Sequence, residues 1–100
     1  MTAKTLRLDI VSAEQEIFSG QVEMAFLTGE LGELGIAPGH TPLFTRLKAG
    51  NIRLRLSENV EEVFYINSGM LEVQPFNVTV LADTIVRASD IDEAAAVHAK

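Results

Sequence analysis

Apolar and polar residues alternate along most of this chain. Leu6-Arg7-Leu8-Asp9-Ile10-Val11 has a period of two, which sets Leu6, Leu8 and Ile10 on one face of a half-buried strand. Ile17-Phe18 runs into Ser19-Gly20, a turn signal. Gln21 to Thr28 begins as alternation and becomes continuously apolar at Met24-Ala25-Phe26-Leu27, the pattern of a strand buried on both faces. Leu43 to Lys48 reads as a short strand ending at Ala49-Gly50, and Ile52-Arg53-Leu54-Arg55-Leu56 alternates cleanly. Ser57-Glu58-Asn59 connects that strand to Val60–Ile66 as a hairpin, since Asn tolerates positive φ. A turn at Glu58-Asn59 sets Arg55 opposite Glu62 and Leu54 opposite Val63, pairs that stabilise an antiparallel ladder. Leu71 and Val73 alternate with Glu72 before Pro75, Val78 to Leu81 forms the next strand, and Ile85-Val86-Arg87 adds a last short one. Short strands spaced roughly 8–12 residues apart, with turn signals between them, predict a β-sandwich or barrel.

Two segments depart from this rhythm. Residues 29–42 hold Gly29, Gly32, Gly35, Gly39, Pro38 and Pro42, and read as a structured loop region with a short strand at Leu34 to Ala37. From Asp90 the period changes. Asp90-Ile91-Asp92-Glu93 followed by three alanines is a helix start, with Asp90 as the cap and Glu93 completing a capping-box pattern. The expected organisation is a β-domain over 1–88 and the beginning of an incomplete helical domain over 89–100.

Composition narrows the functional classes. With 100 residues the chain has room for one domain of ordinary size, and without cysteine it has no disulfide, thiolate chemistry or cysteine zinc site. Eight Lys and Arg against fourteen Asp and Glu give a net charge of -6, which repels phosphate backbones and argues against a general nucleic-acid binder. No signal-peptide core follows Lys4, and the apolar runs are far short of the ~20 residues that span a bilayer. A cytosol-like compartment is expected, with any membrane association made through a partner.

Candidate chemistry is sparse. The two histidines, His40 and His98, form no ligand pair at helical or strand spacing. Ser12, Ser19, Ser57, Ser68 and Ser89 sit in turn or cap contexts and none lies in a nucleophile elbow. Glu61 and Glu62 point to opposite faces of a strand, so they form no acid/base pair. The glycines of 29–39 are followed by no Gly-Lys-Ser/Thr, which rejects a phosphate loop of that type. Arg46, Lys48, Arg53 and Arg55 are half of the basic residues and read as a salt-bridged solvent face, with a docking patch as the second reading. A non-catalytic interaction subunit fits these residues better than an enzyme.

The loop residues Thr28-Gly29, Gly32-Glu33-Leu34-Gly35-Ile36, Pro38-Gly39-His40 and Pro42-Leu43 closely resemble one family. Leu8-Asp9-Ile10-Val11-Ser12-Ala13-Glu14 and Phe18-Ser19-Gly20 upstream extend the match, as do Ser68-Gly69-Met70-Leu71-Glu72-Val73-Gln74-Pro75 and Val78-Thr79-Val80-Leu81-Ala82-Asp83 downstream. The family is the epsilon subunit of bacterial F-type ATP synthases, equivalent to the mitochondrial delta subunit. The resemblance implies a mainly β fold, a flattened ten-stranded β-sandwich followed by the start of a C-terminal α-helix. It implies a non-catalytic central-stalk subunit that docks on the gamma subunit and the c-ring and couples proton translocation to ATP synthesis. It also implies contact with the alpha and beta subunits through the C-terminal helices where these are present. The implied place is peripheral, on the cytoplasmic side of the bacterial inner membrane, without direct membrane insertion.

Carried over by position, Glu33 matches a loop residue placed against the c-ring, His40 a neighbouring residue near gamma and the ring, and Ser12 a position close to gamma. Some family members bind ATP through a motif that here reads Ile91-Asp92-Glu93-Ala94-Ala95-Ala96. Ala95 stands where the motif has arginine, the natural phosphate clamp, so no cofactor is expected. The competing readings are a stand-alone β-sandwich binding module that uses the Gly29–Pro42 loop, and a small hydrolase resting only on scattered serines and carboxylates.

Overall fold

The computed structural model describes residues 5–88, which form ten strands: β1 (Leu6–Ser12), β2 (Glu16–Val22), β3 (Met24–Gly29), β4 (Gly32–Ile36), β5 (Leu43–Leu47), β6 (Gly50–Ser57), β7 (Val60–Ile66), β8 (Gly69–Gln74), β9 (Asn77–Ala82) and β10 (Ile85–Arg87). They hydrogen-bond in the order β10-β7-β6-β3-β5-β8-β9-β1-β2, with β4 paired to β3. The β1–β9 pair is parallel and the other pairs are antiparallel.

The sheet folds over on itself. β3 meets β5 at its last residue, where Gly29 pairs with Leu47, and there the sheet passes from one layer to the other. One layer holds β5, β8, β9, β1 and β2; the other holds β4, β3, β6, β7 and β10. The far edges meet again on the open side. Phe18 of β2 contacts Phe64 of β7 edge to face, with ring centroids 6.0 Å apart. Arg87 of β10 donates to the carbonyl of Ile17 in β2 at 3.1 Å.

Inward-facing residues of both layers make a single apolar core. Leu6, Leu8 and Ile10 of β1 pack with Val78 and Val80 of β9, Leu71 and Val73 of β8, and Ile52, Leu54 and Phe64 across the sandwich. No polar or charged residue among those described is buried. Period-two patterning thus carries through to a β-sandwich, because each strand can bury only one face.

Several local expectations need correction. Ser19-Gly20 does not turn: both lie inside β2, paired with Asp9 and Leu8, and the chain breaks instead at Glu23. The Ser19 hydroxyl is satisfied on the outer face, 2.6 Å from Asp9 Oδ1 and from the Arg7 guanidinium. Gln21 and Val22 therefore belong to β2 and not to the following strand. β3 buries Ala25 and Leu27 fully, while Met24 and Phe26 on its other face are only half-buried. The β6–β7 turn is at Glu58-Asn59, but an extra residue at Leu56 shifts the register, so Leu54 faces Glu62 and Arg55 faces Glu61. Among the described residues none but glycine has positive φ, so Asn59 does not adopt it. The helix start at Asp90 lies outside the described residues.

Candidate docking surface

The turns at one end of the strands follow β1, β3, β5, β7 and β9. Pairing makes this explicit: Ser12 lies beside Ala82, Ala82 beside Gly69, Gly69 beside Leu47, and Leu47 beside Gly29. Ser12 and Glu33 therefore share one end of the sandwich. His40, between β4 and β5, lies at the opposite end, where Gly39 N donates to Pro75 O at 2.7 Å. Nothing in the register joins the three residues into one patch.

Ser12 closes the β1–β2 turn. Its main-chain N–H donates to Gln15 O at 2.9 Å, and its hydroxyl accepts from the Gln15 N–H at 3.3 Å and the Glu14 N–H at 3.4 Å. The oxygen is occupied by local turn bonds, so Ser12 serves the shape of this end, and no base stands beside it as a triad would require.

Glu33 belongs to a tight hairpin. Gly29 pairs with Gly32, leaving Glu30 and Leu31 as the turn residues. A Cβ on Gly29 would lie 2.9 Å from Leu34 Cδ1 and 3.1 Å from Gly32 O, so a side chain there displaces its neighbours, and Gly32, with φ of 139°, needs glycine's conformational freedom. Thr28 Oγ1 donates to Glu33 Oε2 at 2.7 Å, tying the two strands together above the turn. Glu30 N donates to Arg46 O at 2.9 Å, and Lys48 N to Thr28 O at 3.0 Å, which ties the hairpin to β5. The carboxylate of Glu33 is exposed but held by one neutral donor, so it keeps acceptor capacity for a partner.

His40 is fixed by its backbone. Its N–H donates to Ala37 O at 3.1 Å, and Nδ1 lies 2.6 Å from Thr41 O. A carbonyl only accepts, so Nδ1 is the donor in this contact and Nε2 is left for another partner. Gly39 precedes it at φ of 86° and makes the turn possible.

Of the basic cluster, Arg55 lies 3.8 Å from Glu23, and Arg53 stacks over the Phe26 ring at 4.9 Å. A salt-bridged face describes Arg55; for Arg53 the partner is an aromatic ring on the adjacent strand. Among the described residues no group of His, Asp and Glu is arranged to hold a metal ion, and no helix is long and apolar enough to cross a membrane. Ile91, Asp92 and Ala95 lie outside the described residues.

Sequence reasoning passed over the exposed apolar side chains. Leu31 at the hairpin apex is 97% exposed and Phe44 on the outer face of β5 is 68% exposed. Leu31 and Glu33 rim a groove of about 130 Å³ walled by Leu34, Leu43 and Thr45. The signal for Leu31 was present in the sequence: a leucine between Glu30 and Gly32, where turn chemistry favours polar residues.

The beta-sandwich domain of the ATP synthase delta/epsilon chain matches residues 5–88. A protein of Nitrosococcus oceani named ATP synthase epsilon chain is 62% identical over 98 residues, 98% of this chain and 70% of that protein. One of the same name from Legionella pneumophila strain Corby is 58% identical over 96 residues, 96% of this chain and 69% of the other. Among solved structures, a chain of the Euglena gracilis mitochondrial ATP synthase, in a complex of OSCP, F1 and c-ring, superposes with a TM-score of 0.85 at 18% identity. The match covers 99% of this chain and 63% of that one. A chain of the Tetrahymena thermophila mitochondrial ATP synthase central stalk and c-ring superposes with a TM-score of 0.69 at 14% identity, over 93% of this chain and 78% of the other. At those identities the structural likeness speaks for the fold alone.

Proposed function

Because the chain belongs to the ATP synthase delta/epsilon family, we propose that it is a non-catalytic subunit of the central stalk of an F-type ATP synthase. In that role it docks on gamma and on the c-ring and helps couple proton translocation to ATP synthesis elsewhere in the complex. The observation that carries this reading is the 62% identity to a named epsilon chain along 98% of the sequence. The structure is compatible: a stiff sandwich, with glycine-shaped turns projecting polar groups from its ends, can transmit torque without performing chemistry.

Glu33 is assigned to the c-ring contact, His40 to the neighbourhood of gamma and the ring, and Ser12 to the vicinity of gamma. Ser12 acts through the turn that it closes. Glu33 and His40 offer a free carboxylate oxygen and a free imidazole nitrogen. The division into a β-domain over 1–88 and a helical beginning over 89–100 belongs to the same proposal, as does a peripheral site on the cytoplasmic side of the bacterial inner membrane.

The test is assembly. The chain is mixed with purified gamma, alone and on a c-ring, and resolved by size exclusion. Co-elution with gamma at micromolar concentration, and with the gamma–ring complex, is the expected result. Failure to co-elute with either overturns the proposal.

A further inference from the structure

The Glu33 carboxylate has a fixed neighbour on the adjacent strand. Thr28 of β3 stands opposite Glu33 of β4 in the ladder, and both side chains lie on the outer face, Thr28 half-buried and Glu33 exposed. Thr28 Oγ1 donates to Glu33 Oε2 at 2.7 Å, and among the described residues the carboxylate has no other hydrogen-bond or ion-pair partner. Oε1 is left open to another molecule.

The threonine is itself held from the other side. Its carbonyl accepts from Lys48 N at 3.0 Å, which ties it to the connection between β5 and β6. A Cβ on Gly50 would lie 3.1 Å from Thr28 Oγ1 and 3.4 Å from its Cβ, so the bare glycine leaves the hydroxyl room to stand where it meets Glu33. Gly50 does not have positive φ, so its use here is the space and not a left-handed backbone.

The hairpin does not need this bond to form. Its strands already pair from Ala25 and Ile36 to Gly29 and Gly32, and glycine shapes the turn. At the surface water competes for both groups, so the bond is a modest support for the fold. What it changes is the freedom of a long side chain. A glutamate tied at one oxygen has less rotamer entropy to lose when the other oxygen is bound.

We propose that Thr28 is a positioning residue for the Glu33 contact. Its hydroxyl holds Oε2 and so presents Oε1 in one orientation, while Gly50 keeps the space that the hydroxyl occupies. The proposal rests on the central-stalk reading above, in which Glu33 meets the c-ring, and it adds a residue that acts on that contact without making it.

The experiment measures the affinity of the full chain for the gamma–c-ring complex, for wild type, Thr28→Val, Thr28→Ser, Glu33→Ala and the double variant T28V/E33A. Two roles of the threonine give opposite orders. If it served only the strand, valine would replace it and serine would not, because valine keeps the β-branched shape and serine loses it. A positioning hydroxyl reverses that order in binding. Thr28→Ser stays within about twofold of wild type, whereas Thr28→Val binds about three- to tenfold more weakly, the cost of ordering one long side chain. Thr28→Val keeps a cooperative urea transition, so the loss is not one of folding. In T28V/E33A the valine adds nothing to the loss from Glu33→Ala, since the threonine acts only through Glu33. Thr28→Val that binds as wild type, Thr28→Ser that binds as weakly as Thr28→Val, or a double variant weaker than Glu33→Ala overturns the positioning role and leaves the Glu33 contact standing. Glu33→Ala equal to wild type overturns that contact and the role of Thr28 with it. A wild type that fails to bind overturns the stalk reading as well.

Discussion

Replacing Arg87 by alanine should open the side of the sandwich where its two edge strands meet. Arg87 stands on β10, at one end of the strand order, and reaches β2 at the other. Its guanidinium donates to Glu62 Oε1 and to Ile17 O, each at 3.1 Å, and lies 5.1 Å from the centroid of the Phe64 ring. The pair with Glu62 is about one-third exposed on both sides, so its value lies near 1 kcal/mol and below that of a buried pair. The bond from a charged donor to the Ile17 carbonyl adds about 1–2 kcal/mol, and the ring contact about 0.5–1 kcal/mol. These terms share one group and are not additive, which puts the loss for Arg87→Ala at about 2–3 kcal/mol. For a domain of this size that is a fall in Tm of roughly 10–20 °C. Urea unfolding followed by circular dichroism measures it directly. Arg87→Lys keeps the charge but cannot fork to Glu62 and Ile17 together, so it should recover about half of the loss. In a double-mutant cycle with Glu62→Gln the coupling should be about 1 kcal/mol. An Arg87→Ala midpoint within about 0.5 kcal/mol of wild type would refute the idea that this side chain fastens the open side.

Other substitutions test the packing. Phe64 is fully buried against Phe18, so Phe64→Ala should cost about 3–5 kcal/mol in urea unfolding, and Phe18→Ala less because that ring is half-buried. Gly69→Ala places a Cβ 2.5 Å from Leu81 O and 3.3 Å from Ala82 Cα, both main-chain atoms of the paired strand, and should cost about 1–3 kcal/mol in the same assay. Gly50→Ala meets only the Thr28 side chain, at 3.1 Å, and should cost less than Gly69→Ala; the reverse order would discredit the pairing of β8 with β9. Among the described residues the buried hydrophobic side chains run from Leu6 to Ala82 and close one core, so a chain ended after Ala88 should keep a cooperative urea transition and a dispersed amide spectrum.

The strands were legible because alternation is a local property and each inward face needs only a period of two. Leu6, Leu8, Ile10, Ile52 and Leu54 all sit at alternating apolar positions and all are buried. Misreadings arose where a local signal had two physical meanings. Ser19-Gly20 looks like a turn, but Gly20 can also pair flat against Leu8 while Ser19 bonds to Asp9 on the outer face. At Glu58-Asn59 the turn residues were right and the register was not. Leu56 bulges out of the ladder, which no property of residues 52–66 taken one at a time announces.

The docking surface was harder to read because its parts come together only through distant pairing. Glu33 and His40 stand seven residues apart and look like neighbours, yet β4 carries the chain from one end of the sandwich to the other between them. Ser12 and Asp83 stand far apart in sequence, yet the parallel β1–β9 pair puts Ser12 beside Ala82 and brings the two turns to the same end. That parallel pair also gathers the carboxylates. The turn regions after β1 and β9 bring Glu14, Glu16 and Asp83 to the end where the hairpin presents Glu30, Leu31 and Glu33. A net charge of -6 spread evenly would only keep a domain soluble. The pairing divides it instead: Glu14, Glu16 and Asp83 stand on the β1–β9 side of that end, whereas Glu30 and Glu33 stand on a hairpin bonded to β5 at Arg46 and Lys48. Neutralising Glu33 should therefore weaken co-elution with the gamma–ring complex, and equal co-elution of Glu33→Gln and wild type would remove Glu33 from that contact.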